Sequence, residues 1–335
     1  MRIKREHLLL AARNCVAERV RFNRRIISVY LTGSLLGEDY FLGGSADIDL
    51  VFIHDEIIEP GREIIPLNED IHFDIANLPL KLFQQPRSLR VDAWIGPFFC
   101  LNPLCLHDTQ HWFEFTQASL CSQFHRPENV LQRARSQAEL ARQGWMSLMD
   151  RTPWGPEKTL VYLKSLENAA NAISLLSGAP LTERRLLLHF SARAAAVRRP
   201  GMANGLLDLF TPGESVPSAT LTEWLPEWNR ALVAASNASG HPQRLSACRL
   251  PYYTRAVDAQ ITDFPESALW TILRTWTLAL CSLSSDSKAF LPAWNTASQT
   301  LLLDVEHVED RVEGLDHYLD SIEEILDENA RINGI

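Results

Sequence analysis

The chain has 335 residues, 46% apolar and 22% charged, with a formal net charge of −9. That length exceeds one typical hydrophobic core and predicts two domains. The acidic balance disfavours a protein that grips nucleic-acid backbone, because such binding rests on lysine and arginine neutralising phosphates. A small-molecule or protein partner is expected instead, and a cationic one would be drawn in. No apolar run reaches the ~18–20 residues that span a bilayer. The stretch 8–12 is short and is followed at once by Arg13, unlike a secretory signal. A cytoplasmic location is therefore the expectation.

The first helix is predicted over 5–23, where Leu8, Leu9, Ala12, Cys15, Val16 and Val20 fall at helical spacing. Residues 26–32 read as a strand rich in β-branched and apolar side chains. It runs into Gly33-Ser34, with Ser34 as N-cap of a short helix. Gly43-Gly44-Ser45 makes a turn. Further strands are predicted over 47–54, 62–66 (after the Pro60-Gly61 turn), 71–76 and 103–107, after which Asp108 and Thr109 can cap a helix beginning near His111. From about residue 126 strand signals stop. Helices are predicted near 127–149, 156–177, 182–196, 221–236, 252–262, 266–283 and 309–331, separated by Pro and Gly clusters. Strands followed by helices predict an α+β unit over 1–125, with a mixed β-sheet and flanking helices, and an all-helical unit over 126–335.

The six cysteines (Cys15, Cys100, Cys105, Cys121, Cys248 and Cys281) form no Cys-x-x-Cys pair. They are expected to be reduced and to behave as small hydrophobes. The set Cys100, Cys105, His107 and His111 matches no familiar zinc spacing.

The chemistry-bearing pattern lies in the first unit. Twelve residues separate Gly33-Ser34 from Asp47-Ile48-Asp49, which stands at the start of a strand. Side chains alternate along a strand, so Asp47 and Asp49 share one face while Ile48 and Leu50 take the other. Two adjacent carboxylates repel, a cost that a hard divalent cation such as Mg²⁺ offsets. A turn into a helix presents backbone N–H groups that favour phosphate. Asp74, on a later strand, can join the pair if the two strands are neighbours, and three carboxylates can hold two cations.

Gly33-Ser34, twelve residues, Asp47-Ile48-Asp49, and then Asp74 on another strand resemble the nucleotidyltransferase superfamily typified by DNA polymerase beta. The layout is similar to its small bacterial members, the aminoglycoside and minimal nucleotidyltransferases, which pair such a sheet with a C-terminal helical bundle. The resemblance covers roughly residues 5–120 at the level of motifs; the helical half is similar only in architecture. It implies that Gly33 and Ser34 hold the triphosphate and that Asp47 and Asp49 bind two Mg²⁺ ions. Asp74 would complete the second metal site and help activate the acceptor. Many members carry Ser or Pro-Ser before the first Asp, whereas here Ala46 follows Ser45. Asp108 resembles a recurrent structural turn.

In the helical half, Lys164, Asn168 and Asn171 share a face of the helix over 156–177. Lys164 could screen the triphosphate and leaving pyrophosphate, or simply pair with Glu167 on a solvated surface. Tyr252, Tyr253 and Arg255 could meet a nucleotide, with packing of the tyrosines as the plainer reading. Trp270, Leu273, Trp276, Leu280 and Leu283 make a core stripe. The acidic helix from 304 to 328 is expected to be amphipathic and solvated.

The sequence thus predicts a Mg²⁺-dependent enzyme transferring a nucleoside monophosphate, most simply AMP from ATP, to a hydroxyl of a small-molecule acceptor. The cleft would lie between the sheet edge and the helical unit. Oligomeric state is left open. Three rivals remain: a sugar-nucleotide glycosyltransferase using Asp47-Ile48-Asp49, an inactive nucleotide-binding relative serving as a regulatory module, and a protein- or tRNA-modifying nucleotidyltransferase. The last draws on the basic residues Arg184, Arg185, Arg193, Arg198 and Arg199.

Overall fold

The computed structural model describes residues 3–213 and 215–335 and is α+β. The chain divides into two compact units, Met1–Asn129 and Val130–Ile335.

The first unit is built on a five-stranded mixed sheet: β1 (Ile26–Thr32), β2 (Ala46–His54), β3 (Arg62–Pro66), β4 (Ile71–Pro79) and β5 (Leu104–Asp108), in spatial order β3-β4-β2-β1-β5. The pair β2–β4 is parallel and the other three are antiparallel. The parallel pair needs a crossover, and the intervening edge strand β3 supplies part of it by pairing back on β4. Both ends of the sheet order carry five-residue strands, which limits the length of unpaired edge.

Helices cover both faces. On one, α1 (Arg5–Phe22) lays Leu8, Ala12 and Val16 onto Leu31, Ile48, Leu50, Phe73 and Ile75. On the other, Tyr30, Val51 and Ile53 pack with Phe83, Leu89, Phe99 and Phe113, from the turn 80–84, α2 (Pro86–Val91), α3 (Ile95–Cys100) and α4 (Trp112–Cys121). The edge-on contact of Tyr30 with Phe99, ring centroids 5.3 Å apart, is the favoured arrangement of two quadrupoles. Asp108 Oδ1 accepts the Phe113 amide at 2.9 Å in the first turn of α4, but the N-cap is His111 rather than Asp108 or Thr109, and the Thr109 hydroxyl donates to the Ile27 carbonyl instead. The reduced state expected of all six cysteines is corrected for two. Cys100 and Cys121 are disulfide-bonded and join the ends of α3 and α4. Closing a loop of 21 residues removes unfolded-state entropy worth about 3 kcal/mol.

The second unit is helical: most of α5 (Pro127–Leu148), then α6 (Pro156–Ser174), α7 (Leu186–Ala196), α8 (Gly201–Asp208), α9 (Ser218–Asn237), α10 (Leu250–Gln260), α11 (Pro265–Leu283), α12 (Leu291–Thr300) and α13 (Val308–Asn333). Helix α11 is its spine, with Trp270, Leu273, Trp276 and Leu280 buried as the apolar stripe predicts. On this helix Thr275 accepts the Trp228 indole N–H at 2.9 Å and Thr277 accepts that of Trp294 at 3.1 Å, while the indole N–H groups of Trp270 and Trp276 are buried without a hydrogen-bond partner. Helix α13 is amphipathic with a largely exposed acidic face, as expected, and some of its acids pair with arginines of α5. Arg142 of α5 reaches Asp316, Asp320 and Glu323, and Arg135 reaches Asp327. Among the described residues no helix is long and apolar enough to cross a membrane.

Candidate metal centre

Strand register assembles the acids. Thr32 of β1 pairs with Asp49 of β2, and Asp49 pairs across the parallel ladder with Asp74 of β4. Directly paired residues point to the same face, so these three form one row. Asp47, two residues before Asp49, lies on that face in the next row, beside His72. One oxygen from each of Asp47, Asp49 and Asp74 can be chosen so that all lie within 4.8 Å of one another. Asp47 is 8% exposed and Asp74 4%.

The row occupies the end of the sheet face whose other end is covered by α2–α4. Val51 and Ile53, continuing the alternation from Asp47 and Asp49, are buried under those helices. One strand therefore supplies core at one end and acids at the other.

Gly33 closes the site from β1. Its backbone, φ 78° and ψ −161°, lies in a region essentially reserved for glycine. A Cβ placed there would meet Asp49 Oδ2 at 1.9 Å. Any other residue would both strain the turn and displace the carboxylate. Ser34 is not the N-cap that the sequence suggested. Gly33 holds that position, and Ser34 opens a single 3-10 turn ending at Leu36. The Ser34 hydroxyl is buried without a hydrogen-bond partner in the protein, as are Thr159 Oγ1 and the indole N–H groups of Trp270 and Trp276. Arg5 steadies this turn: Nε and Nη2 donate to the Leu35 and Leu36 carbonyls at 2.8 and 2.9 Å. At the far side Gly43 and Gly44, with φ 63° and 82°, form the tight reversal that feeds β2. Ser45 Oγ locks it by donating to the Leu42 carbonyl.

These features fit a divalent cation. The donors are all hard oxygens, their separation suits a shared ion, and the space beside Asp49 exists only because residue 33 lacks a side chain. Against the sequence pattern, the main addition is Arg62. From the edge strand β3 its Nε and Nη2 donate to Asp74 Oδ1 and Oδ2 at 2.6 and 2.5 Å. Arg62 faces Ala76, two residues beyond Asp74, and so shares the acids' sheet face. Only the β3–β4 register makes that visible; composition gives no hint of it. His72, 1% exposed beside Asp47, was also missed.

Candidates in the second unit fare differently. Lys164 is exposed on α6. Glu167 is buried and faces Arg274 of α11 at 3.4 Å. Asn171 is also interior, bonded to both backbone groups of Leu181. Tyr252 and Tyr253 are buried, as the plainer reading held, and the Tyr253 hydroxyl donates to Glu183. Arg184, counted in a basic surface patch, is 3% exposed and stacks on the Tyr252 ring, so that patch loses a principal member.

Compared with protein-family profiles and with curated proteins, the sequence has no match.

Proposed function

We propose that the first unit is the catalytic part of a Mg²⁺-dependent nucleotidyltransferase that moves a nucleoside monophosphate, in the simplest case AMP from ATP, to the hydroxyl of a small-molecule acceptor. The observation carrying this reading is the joining of three carboxylates from two strands to a glycine corner with no room for a Cβ. Carboxylates alone would serve many metal sites. The adjoining Gly33-Ser34 turn, with a buried and unsatisfied hydroxyl, adds a place suited to phosphate oxygens.

Asp47 and Asp49 would hold the metal, with Asp74 completing the donor set. Two bound Mg²⁺ would supply charge stabilisation at phosphorus and a more acidic acceptor hydroxyl. Gly33 would leave the phosphate chain close access to Asp49, and the Ser34 hydroxyl would donate to it. Asp74 takes the acceptor's proton as the acceptor oxygen bonds to the α-phosphorus. The bond from that phosphorus to the bridging oxygen breaks, and pyrophosphate leaves. Lys164 stands on the separate unit and lends this reading no support.

The test is incubation with α-³²P-labelled ATP, GTP, CTP or UTP and Mg²⁺ against hydroxylated small molecules and cell extract. Label transfer with pyrophosphate release is expected, lowered at least ~10²-fold in Asp49→Ala. Label transfer unchanged in Asp49→Ala would reject this chemistry. Mg²⁺-ATP binding without pyrophosphate release would favour the inactive relative.

A further inference from the structure

Arg62 and Arg19 both make forked pairs with carboxylates along β3, and the two differ in kind. Arg19 and Glu63 are each about a quarter exposed, at 29% and 26%, and Asn77 donates a further bond to Glu63. That pair ties α1 to the sheet. Arg62 instead joins a 47% exposed side chain to a carboxylate that is 4% exposed and belongs to the acidic cluster. Three carboxylates, each with one oxygen within 4.8 Å of the others, gather like charge, and the Arg62 guanidinium lies on one of them. Its fork lies on both Asp74 oxygens, the atoms a cation would need. A guanidinium and a divalent ion on one carboxylate repel each other.

We infer that Arg62 is a latch on Asp74, holding it in charge balance before substrate arrives and withholding it from a metal until the guanidinium is drawn away. The inference rests on the metal-dependent reading above. Arg62 can leave because it stands on the edge strand, half exposed, at the rim of the face rather than beneath the helices. A polyphosphate is the chemical class suited to drawing it off, since the planar fork that fits a carboxylate also fits phosphate oxygens. The cluster would then fill in order: Asp47 and Asp49 accept a cation in the free protein, and Asp74 joins when nucleotide takes Arg62. This makes Arg62 a positioning residue that couples nucleotide arrival to completion of the site.

The experiment counts bound Mn²⁺ from the electron paramagnetic resonance signal of the free ion, using the full chain without nucleotide. Wild type is expected to bind one ion tightly and a second at least tenfold more weakly. In Arg62→Ala the second ion tightens at least tenfold. Adding a non-hydrolysable ATP analogue brings wild type to the same state. Arg62→Lys, which keeps the charge and loses the fork, gives a smaller shift in the same direction and serves if Arg62→Ala does not fold. Identical isotherms for wild type and both variants would overturn the latch and leave the metal reading standing. Weaker binding in Arg62→Ala would also overturn it, since Arg62 would then be shaping the site for metal. Wild type and Arg62→Ala binding no better than Asp49→Asn would overturn both.

Discussion

The two units treat buried charge in opposite ways. In the helical unit, carboxylates are matched by cations and hydrogen-bond donors. Glu167 meets Arg274, and Glu183 accepts from the Tyr253 hydroxyl with Arg244 3.8 Å away. Burial alone would raise the Glu183 carboxyl, yet Arg244, Arg274 and Arg249 together hold it below the ordinary glutamate range. In the sheet unit, three aspartates are brought within one ion's reach of one another, with Arg62 forked on one of them. Matched charge serves a fold, because the desolvation cost is met inside the protein. Gathered like charge serves it poorly, because each carboxylate raises the cost of ionising its neighbours.

This contrast breaks most readily at Arg274. Arg274→Ala strands the Glu167 charge in the interior and should cost about 3–5 kcal/mol in urea unfolding. Replacing both partners with apolar residues of similar volume should cost much less. A single substitution with no effect on the midpoint would show that the pair is not part of the helical core. Next in size is Gly33→Ala, which places a side chain in a glycine-only conformation and against Asp49. About 1–3 kcal/mol of stability should be lost, along with the tight Mn²⁺ site; wild-type affinity for Mn²⁺ in this variant would separate the glycine corner from the acids. The smallest effect belongs to Glu63, whose carboxyl is held below the usual range chiefly by its hydrogen bonds to Arg19, aided by Asn77. A depressed folded-state value contributes stability above the unfolded value of about 4.3 and loses it as pH falls through the folded one. Glu63→Gln should therefore cost about 1 kcal/mol at pH 7. Stability curves of wild type and variant should converge below pH 4, and a constant gap across pH 3–7 would contradict the assignment.

Several short helices escaped the sequence reading for a common reason. Helix α3 begins Ile95-Gly96-Pro97, a string that argues for a turn; Gly96 is needed because a Cβ there would meet the Leu89 carbonyl at 2.1 Å. Helices α2, α8 and α12 likewise span only six to ten residues, too short for periodicity to stand out. Face assignments on α6 failed differently. Lys164 and Glu167 satisfy the spacing for a surface pair, yet α6 turns Glu167 inward to Arg274 from a segment 107 residues away. Local spacing carries no information about a partner that distant.

By itself the sequence determined the alternation that puts Asp47 and Asp49 on one face, the glycine before Ser34, and the separation of strand-rich from helix-rich halves. Those features follow from backbone geometry and composition, which act over a few residues. Tertiary structure decided that Asp74 lies in register with Asp49, that Arg62 rather than another cation sits on Asp74, and that Cys100 meets Cys121. Each of these depends on strand order or helix packing, where many weak contacts summed over the whole unit choose the neighbour.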